Sequence, residues 1–315
     1  VLKHLQGAYS LLFLFPDRIE ACRDPWGIRP LVIGKTPDGL WCVASETCAF
    51  NAINATYIRE VEPGEIIRID DMGLHSRRFD VPAPQGARCV FEHVYFANPA
   101  SVLFGNNVHV VRQEMGKQLA RETMVGADCV MPMPDSGRSA ALGFARESGL
   151  SFEEGIVPNR FVGRTFILPD QLARDVAVHL KLNIIGELVK DRRIIVVDDS
   201  IVRGTTTRSK MRALRHAGAK EIHLRISCPP IRHPCFYGID FATSGELIAH
   251  NRTIEQIRDF VEVDSLAYLS IEGMLACTKL PTSDCCTACW SGTYKIPVDR
   301  PTSKFSFERD QLKMF

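Results

Sequence analysis

Ile194-Ile195-Val196-Val197-Asp198-Asp199-Ser200-Ile201-Val202-Arg203-Gly204-Thr205-Thr206-Thr207 is the stretch on which the fold turns. It starts as an apolar, β-branched run, the pattern of a strand buried on both faces of a parallel sheet. Two adjacent carboxylates end the run; a glycine and three threonines follow. Residues 208–217 then carry a helical stripe at Met211, Leu214 and Ala217, with Gly218 as its stop. In a parallel α/β sheet, ligands lie beyond the carboxyl ends of the strands. A Gly204-Thr205-Thr206-Thr207 turn opening a helix offers backbone N–H groups, three hydroxyls and the positive end of the helix dipole, a cradle for a phosphate dianion. Asp198 and Asp199 repel such an anion. They are suited instead to accept hydrogen bonds from sugar hydroxyls, hold Mg²⁺, or stabilise positive charge forming on a ribose ring. A strand-end acidic pair that merely caps the next helix is the commoner case for two aspartates. The full string argues against it and points to a ribose 5-phosphate site.

Working outward, residues 128–133 read as a second strand, Pro134-Asp135-Ser136-Gly137 as a loop, and residues 138–148 as a helix closed by Gly149. Backbone N–H groups at this loop would hold a pyrophosphate, with the Ser136 hydroxyl completing a Mg²⁺ shell, although the tetrad alone is more often a plain turn. Residues 111–122 read as a helix, residues 89–97 as an apolar-rich strand, and residues 221–227 as a strand with Ile222, Leu224 and Ile226 alternating. Repeated strand–loop–helix units predict a parallel sheet with helices on both faces. Residues 1–80 read differently. They are β-rich and turn-punctuated, with strand-like sequence at 8–15 and 66–69. The expected division is 1–80 as a β-rich domain, 81–88 as a linker, 89–277 as the parallel-sheet domain, and 278–315 as a polar C-terminal extension.

A chain of 315 residues has room for two cores. Its net charge of +1 sets up no global field for nucleic acid or a membrane surface. The basic helix residues Arg203, Arg208, Lys210, Arg212 and Arg215 then read as a solvated face, and no nucleic-acid or membrane partner is expected. The apolar run 11–15 is too short for a bilayer span or a signal core, so the expected location is cytoplasmic. Eleven cysteines at irregular spacing argue against a secreted disulfide framework. The chain opens with Val1 inside strand-like sequence and is read as N-terminally shortened.

The string at 194–207 resembles the phosphoribosyl pyrophosphate signature of type I phosphoribosyltransferases. Together with Pro134-Asp135-Ser136-Gly137, Asn159-Arg160-Phe161-Val162-Gly163-Arg164-Thr165-Phe166-Ile167 and Tyr268-Leu269-Ser270-Ile271-Glu272-Gly273, it makes nearly the whole chain similar to the amidophosphoribosyltransferase family. The resemblance implies a type I phosphoribosyltransferase fold preceded by the later part of a glutaminase domain of the N-terminal nucleophile class. It implies transfer of glutamine-derived ammonia to C1 of phosphoribosyl pyrophosphate, giving 5-phosphoribosylamine in the first step of purine synthesis. Asp198, Asp199, Arg203, Gly204, Thr205, Thr206, Thr207, Asp135, Ser136, Gly137, Arg160, Arg164 and Lys181 would bind substrate. Ser136, Asp198 and Asp199 would meet Mg²⁺. Residues 158–174 would form a lid that keeps water from an oxocarbenium-like transition state. The family's nucleophile is an N-terminal cysteine. Cys22 is internal, so no catalytic glutaminase residue is expected here and ammonia would be the nitrogen source. Pro158, Asn98 and Ala100 depart from the family pattern, which carries Lys, Arg and Asp there. Purine nucleotides as feedback inhibitors and a homo-oligomer are further expectations.

Cys286-Thr287-Ala288-Cys289 is a C-x-x-C pair, and by itself it leaves a redox pair, half a zinc site or coincidence open. With Cys89 and Cys235 it makes four thiolates, which suit either zinc or an iron–sulfur cluster. The resemblance implies a [4Fe–4S] cluster on Cys89, Cys235, Cys286 and Cys289. Cys285 is read as a spare, and Cys22, Cys42, Cys48, Cys129, Cys228 and Cys277 as small buried apolar residues. Two rivals use related chemistry: a phosphoribosyl pyrophosphate-sensing regulator, and a salvage phosphoribosyltransferase for purine bases. The first needs a DNA-binding helix pair. The second needs neither the cysteines nor the β-rich part.

Overall fold

The computed structural model describes residues 2–159, 182–240 and 243–298. The chain divides into two compact units. The first holds Val1–His109, Pro234–Thr243 and Thr278–Phe315; the second holds Val110–His233 and Ser244–Cys277.

In the first unit, β1 (Ser10–Leu14), β2 (Ile19–Arg23), β3 (Val32–Lys35), β4 (Trp41–Ala44), helix α1 (Cys48–Asn51), β5 (Thr56–Glu60), β6 (Glu65–Asp70) and β7 (Gly73–Arg78) follow in sequence. They make two antiparallel sheets, β1-β2-β6-β7 and β4-β3-β5. Ala21, Leu31, Ile33, Val61 and Ile67 form the core between them. Arg23 is 2 % exposed, yet its donors are satisfied by the carbonyls of Gly27, Arg29 and Val61 and by Glu60, as a buried charge requires. Beyond β8 (Arg88–Cys89) the chain enters a π-helical turn, Glu92–Phe96. The strand expected over residues 89–97 is therefore corrected. Glu92, His93 and Val94 are buried in succession, and Phe91 meets both Tyr95 and Phe96. Strand alternation forbids this and a helical turn permits it. A two-residue hairpin, β9 (Val102–Leu103) with β10 (Asn106–Asn107), follows.

The second unit is built on a five-stranded parallel sheet. Helix α2 (Val108–Thr123) leads to β11 (Cys129–Pro132), α3 (Arg138–Ser148), β12 (Ser151–Phe152) and an antiparallel pair, β13 (Ile156–Pro158) with β14 (Leu182–Ile184). Then come β15 (Arg193–Asp198), α4 (Thr205–His216), β16 (Glu221–Ile226), α5 (Ile254–Val261), β17 (Ser265–Tyr268) and α6 (Ile271–Thr278). The sheet order is β12-β11-β15-β16-β17. Ile194, Ile195, Val196 and Val197 are fully buried at its centre, as the apolar run predicts. The chain moves one way across the sheet from β11 to β12 and the other way from β15 to β17. Right-handed crossovers then put α3 on one face and α4 and α5 on the other. β16 departs from its half-solvated alternation, because His223 and Arg225 are buried as well. Arg225 donates to the Thr123 carbonyl at the end of α2 and to Ser265, so a helix C-terminus receives the cation.

The residues after 278 are more than a polar extension. β18 (Cys285–Cys286) pairs in parallel with β8, and α7 (Ala288–Ser291) buries Cys289 and Trp290 within the first unit. This unit also retains residues 89–109, so the parallel-sheet unit begins later than the expected boundary.

Candidate functional site

The tip of β15 carries the acidic pair. Asp198 is 6 % and Asp199 5 % exposed. The Asp199 amide donates to Asp198 Oδ1 at 2.9 Å, and Ser200 Oγ donates to Asp199 Oδ2. The Asp198 carbonyl accepts from the Ser227 amide at 3.0 Å, so β16 anchors the tip. The Asp198 carboxyl is pushed up to about 8. Burial is the first cause and the charge of Asp199 the second, while Lys210 on α4 pulls the other way. The two carboxyls therefore share one neighbourhood, on the side where α4 begins.

Between them and the helix, Gly204 sits at φ +78 as the N-cap of α4, and among the described residues no side chain caps it. The first-turn amides at Thr205, Thr206 and Thr207 stand at this helix end. Thr205 and Thr206 are exposed, whereas Thr207 is buried. Gly204 is required twice over. Its φ lies in the left-handed region, and a Cβ would come within 2.5 Å of Ile248 Cδ1. Arg203 is exposed and paired with Glu246, its Nε at 3.0 Å. Elsewhere on this helix Arg208 and Arg212 pair with Glu262, and Arg215 with Asp264, so carboxylates neutralise most of the basic face.

The loop after β11 comes to the same place. Met133 N–H donates to the Val197 carbonyl at 2.8 Å, which extends the β11–β15 ladder past Pro132. The peptide between Pro134 and Asp135 is cis. Asp135 is exposed, Ser136 half-buried and Gly137 buried at the N-cap of α3. A Cβ on Gly137 would lie 2.2 Å from the Val197 carbonyl oxygen. Glycine is what lets α3 begin against the tip of β15. The Asp135–Gly137 loop and the Asp198–Thr207 string thus leave the ends of adjacent strands, β11 and β15. That is where the chain reverses direction across the sheet, the switch point at which open parallel sheets take ligands. Arg160, Arg164 and Lys181 lie outside the described residues. Lys210 was not singled out as a site residue. One helical turn beyond Thr206 and Thr207, its spacing was the available signal.

The four cysteines all belong to the first unit. Cys89 and Cys286 are register partners in the β8–β18 pair. The Tyr237 amide donates to Cys235 Sγ at 3.3 Å. The Cys89 thiol is pushed up, first by burial and then by Cys286, Glu92 and Cys235, with Arg29 opposing. The Tyr294 phenol is pushed up to about 12 by burial together with Cys235, Cys289 and Cys286. Cys285 alternates with Cys286 along β18, which puts its side chain on the other face of the strand; its thiol donates to the Pro281 carbonyl. Cys22, Cys129, Cys228 and Cys277 are buried, whereas Cys42 and Cys48 are half-exposed. Among the described residues no three His, Cys, Asp or Glu side chains are gathered as the shell of a single metal ion, and no helix is long and apolar enough to cross a membrane.

No family model matches the chain. Curated proteins do. An amidophosphoribosyltransferase of Synechocystis sp. is 51% identical over 296 residues, covering 93% of this chain and 59% of that protein. That of Mycobacterium tuberculosis is 47% identical over 308 residues, covering 96% and 58%. That of Methanocaldococcus jannaschii is 47% identical over 312 residues, covering 95% and 66%. The chain thus spans about 58% of the length of the first relatives it matches. Among solved structures, the glutamine phosphoribosylpyrophosphate amidotransferase of B. subtilis, complexed with ADP and GMP, superposes with a TM-score of 0.89 at 45% identity, over 96% of this chain and 67% of that one. A second, described as the allosteric regulatory enzyme of purine biosynthesis, gives 0.89 at 46%, over 96% and 65%. Similarity of this depth, over nearly all of this chain and two thirds of a solved relative, places it in the amidophosphoribosyltransferase family.

Proposed function

We propose that the second unit transfers an amino group to C1 of phosphoribosyl pyrophosphate, and that the chain belongs to a cytoplasmic enzyme of purine synthesis. The observation that carries this reading is the meeting of two anion-type loops with one acidic pair at the switch point between β11 and β15. The 5-phosphate would take the amides and hydroxyls of Gly204–Thr207. The ribose hydroxyls would donate to Asp198 and Asp199. Pyrophosphate would lie against Asp135–Gly137, with Arg160, Arg164 and Lys181 as further contacts. The nitrogen lone pair of ammonia attacks C1, and the C1–O bond breaks with its electrons leaving on pyrophosphate. The new ammonium then releases a proton. The acidic pair stabilises the positive charge on the ring in between.

The residues fit Mg²⁺. Burial and then the charge of Asp199 hold the Asp198 carboxyl up; a divalent cation would relieve that cost, and the Ser136 hydroxyl adds a hard oxygen donor. When bound, the ion would offset the charge of the departing pyrophosphate. The first unit fits a [4Fe–4S] cluster on Cys89, Cys235, Cys286 and Cys289. Cys89 and Cys286 are register partners, and Cys235, Cys286 and Cys289 all act on the Tyr294 phenol; four thiolates suit either zinc or a cluster, and the family resemblance favours the cluster. The cluster would tie together segments distant in sequence. Glutamine is the expected ammonia source in the whole protein, purine nucleotides are expected feedback ligands, and the assembly is expected to be homo-oligomeric.

Pyrophosphate release from phosphoribosyl pyrophosphate with ammonia, compared against purine bases as acceptors, tests the reading. Ammonia-dependent turnover that is lost in a folded Asp198→Asn variant supports it. A base-dependent reaction, or binding without turnover, favours a salvage transferase or a sensor respectively.

A further inference from the structure

Arg29 occupies an unusual position for a half-buried cation. Its Nη1 pairs with Glu92 Oε1 at 2.6 Å, in the turn three residues after Cys89. Its Nε donates to the Tyr237 carbonyl at 3.3 Å, and the amide of that same Tyr237 donates to Cys235 Sγ at 3.3 Å. The Cys89 amide donates to the carbonyl of Ile28, the residue before Arg29. The guanidinium also lies 5.5 Å from the centre of the Phe96 ring. One side chain thus links the Cys89 segment to the Cys235 segment, and Cys286 is the register partner of Cys89.

We propose that Arg29 is the charge-compensating residue of the four-cysteine site: fixed by Glu92 and the Tyr237 carbonyl, it offsets the negative charge of a thiolate-bound iron–sulfur cluster and raises its reduction potential. The inference rests on the cluster reading above. Four thiolates make such a cluster anionic, and reduction by one electron adds a further negative charge, so a nearby fixed cation stabilises the reduced form. Glu92 plays the opposing part, since its carboxylate cancels part of the Arg29 charge. The pair therefore makes two predictions of opposite sign, which loss of packing alone would not produce.

The test is an anaerobic redox titration of the full chain loaded with ferrous iron and sulfide. Dithionite serves as the electron donor, and visible absorption and electron paramagnetic resonance report the reduced fraction. Arg29→Gln is expected to lower the reduced-to-oxidised ratio about tenfold at a fixed potential, which is about 59 mV for a one-electron couple. Arg29→Lys recovers part of the shift. Glu92→Gln moves the ratio the other way. Should the cluster form in all variants with an unchanged potential, the role of Arg29 is overturned and the cluster reading stands. If the unsubstituted chain binds no iron and sulfide, the cluster reading falls and this inference falls with it.

Discussion

A carboxyl buried at a strand tip beside a second carboxyl works against the fold that holds it. Asp198 is raised from its ordinary 3.8 to about 8 in the folded chain. Between those values the folded state keeps a proton that the unfolded chain has given up. Stability therefore falls as pH rises from about 4 to about 8, and levels off above. Asp198→Asn removes that slope. At pH 8 it is expected to stabilise the chain by about 1–3 kcal/mol while abolishing pyrophosphate release. Denaturation midpoints at pH 5 and pH 8, measured beside activity, decide it; a variant that is inactive and less stable at pH 8 contradicts the account. Gly204→Ala pushes in the other direction. The left-handed backbone alone costs about 1–2 kcal/mol, and the Cβ must displace Ile248. Loss of stability together with a KM for phosphoribosyl pyrophosphate raised at least tenfold is the expected result. The acidic pair and this glycine were legible as residue types at a spacing. Lys210 was legible only as a cation one turn into the helix; that its charge acts on Asp198 depends on how the loop folds back.

Among the elements, α2 and α3 cross so closely that their backbones touch. A Cβ on Gly116 would lie 1.9 Å from the Ala140 carbonyl oxygen, and one on Gly143 would lie 2.0 Å from that of Gln113. Helix propensity alone says that Gly143→Ala should gain about 1 kcal/mol. Overpacking costs about 1–3 kcal/mol or more, and here the obstacle is backbone rather than a flexible side chain, so the cost wins. A lowered urea midpoint with an unchanged slope checks this; a raised midpoint refutes the close crossing. α5 shows the opposite economy of design. Thr253 accepts from the Gln256 amide while Gln256 returns the bond to the Thr253 amide. Thr253→Ala is expected to cost about 1 kcal/mol, read as a shift in thermal midpoint. Helices and buried strands of the second unit were readable from period and capping. The turn at Glu92–Phe96 was not, since aromatic and valine residues there mimic a strand until ring packing selects the helical form.

At the scale of the molecule, the two proposed sites fall in separate units, and each should respond to its own ligand. Phosphoribosyl pyrophosphate with Mg²⁺ at one hundred times its Kd adds about 2.7 kcal/mol of stability. In hydrogen exchange the protection should centre on residues 133–137 and 199–207 of the second unit. Stripping iron from the loaded protein should instead deprotect residues 86–96, 235–240 and 285–296 of the first. Protection that appears in the same residues for both ligands would refute this assignment of sites.

The β-branched run, the acidic pair and the glycine–threonine turn determined by themselves that a central parallel strand ends in an acidic pair followed by a glycine-opened helix. Those are local properties, set by side-chain branching, charge and backbone freedom. Tertiary structure alone decided which strand lies beside β15, and so which loop faces the acidic pair, because register and crossover direction are settled by burial across the whole sheet. It also decided that the segment after residue 278 belongs with the cysteine of β8. The cysteine pattern pointed from 286 and 289 back to Cys89, but the parallel β8–β18 pairing and the burial of Trp290 could be set only by the packing of the unit.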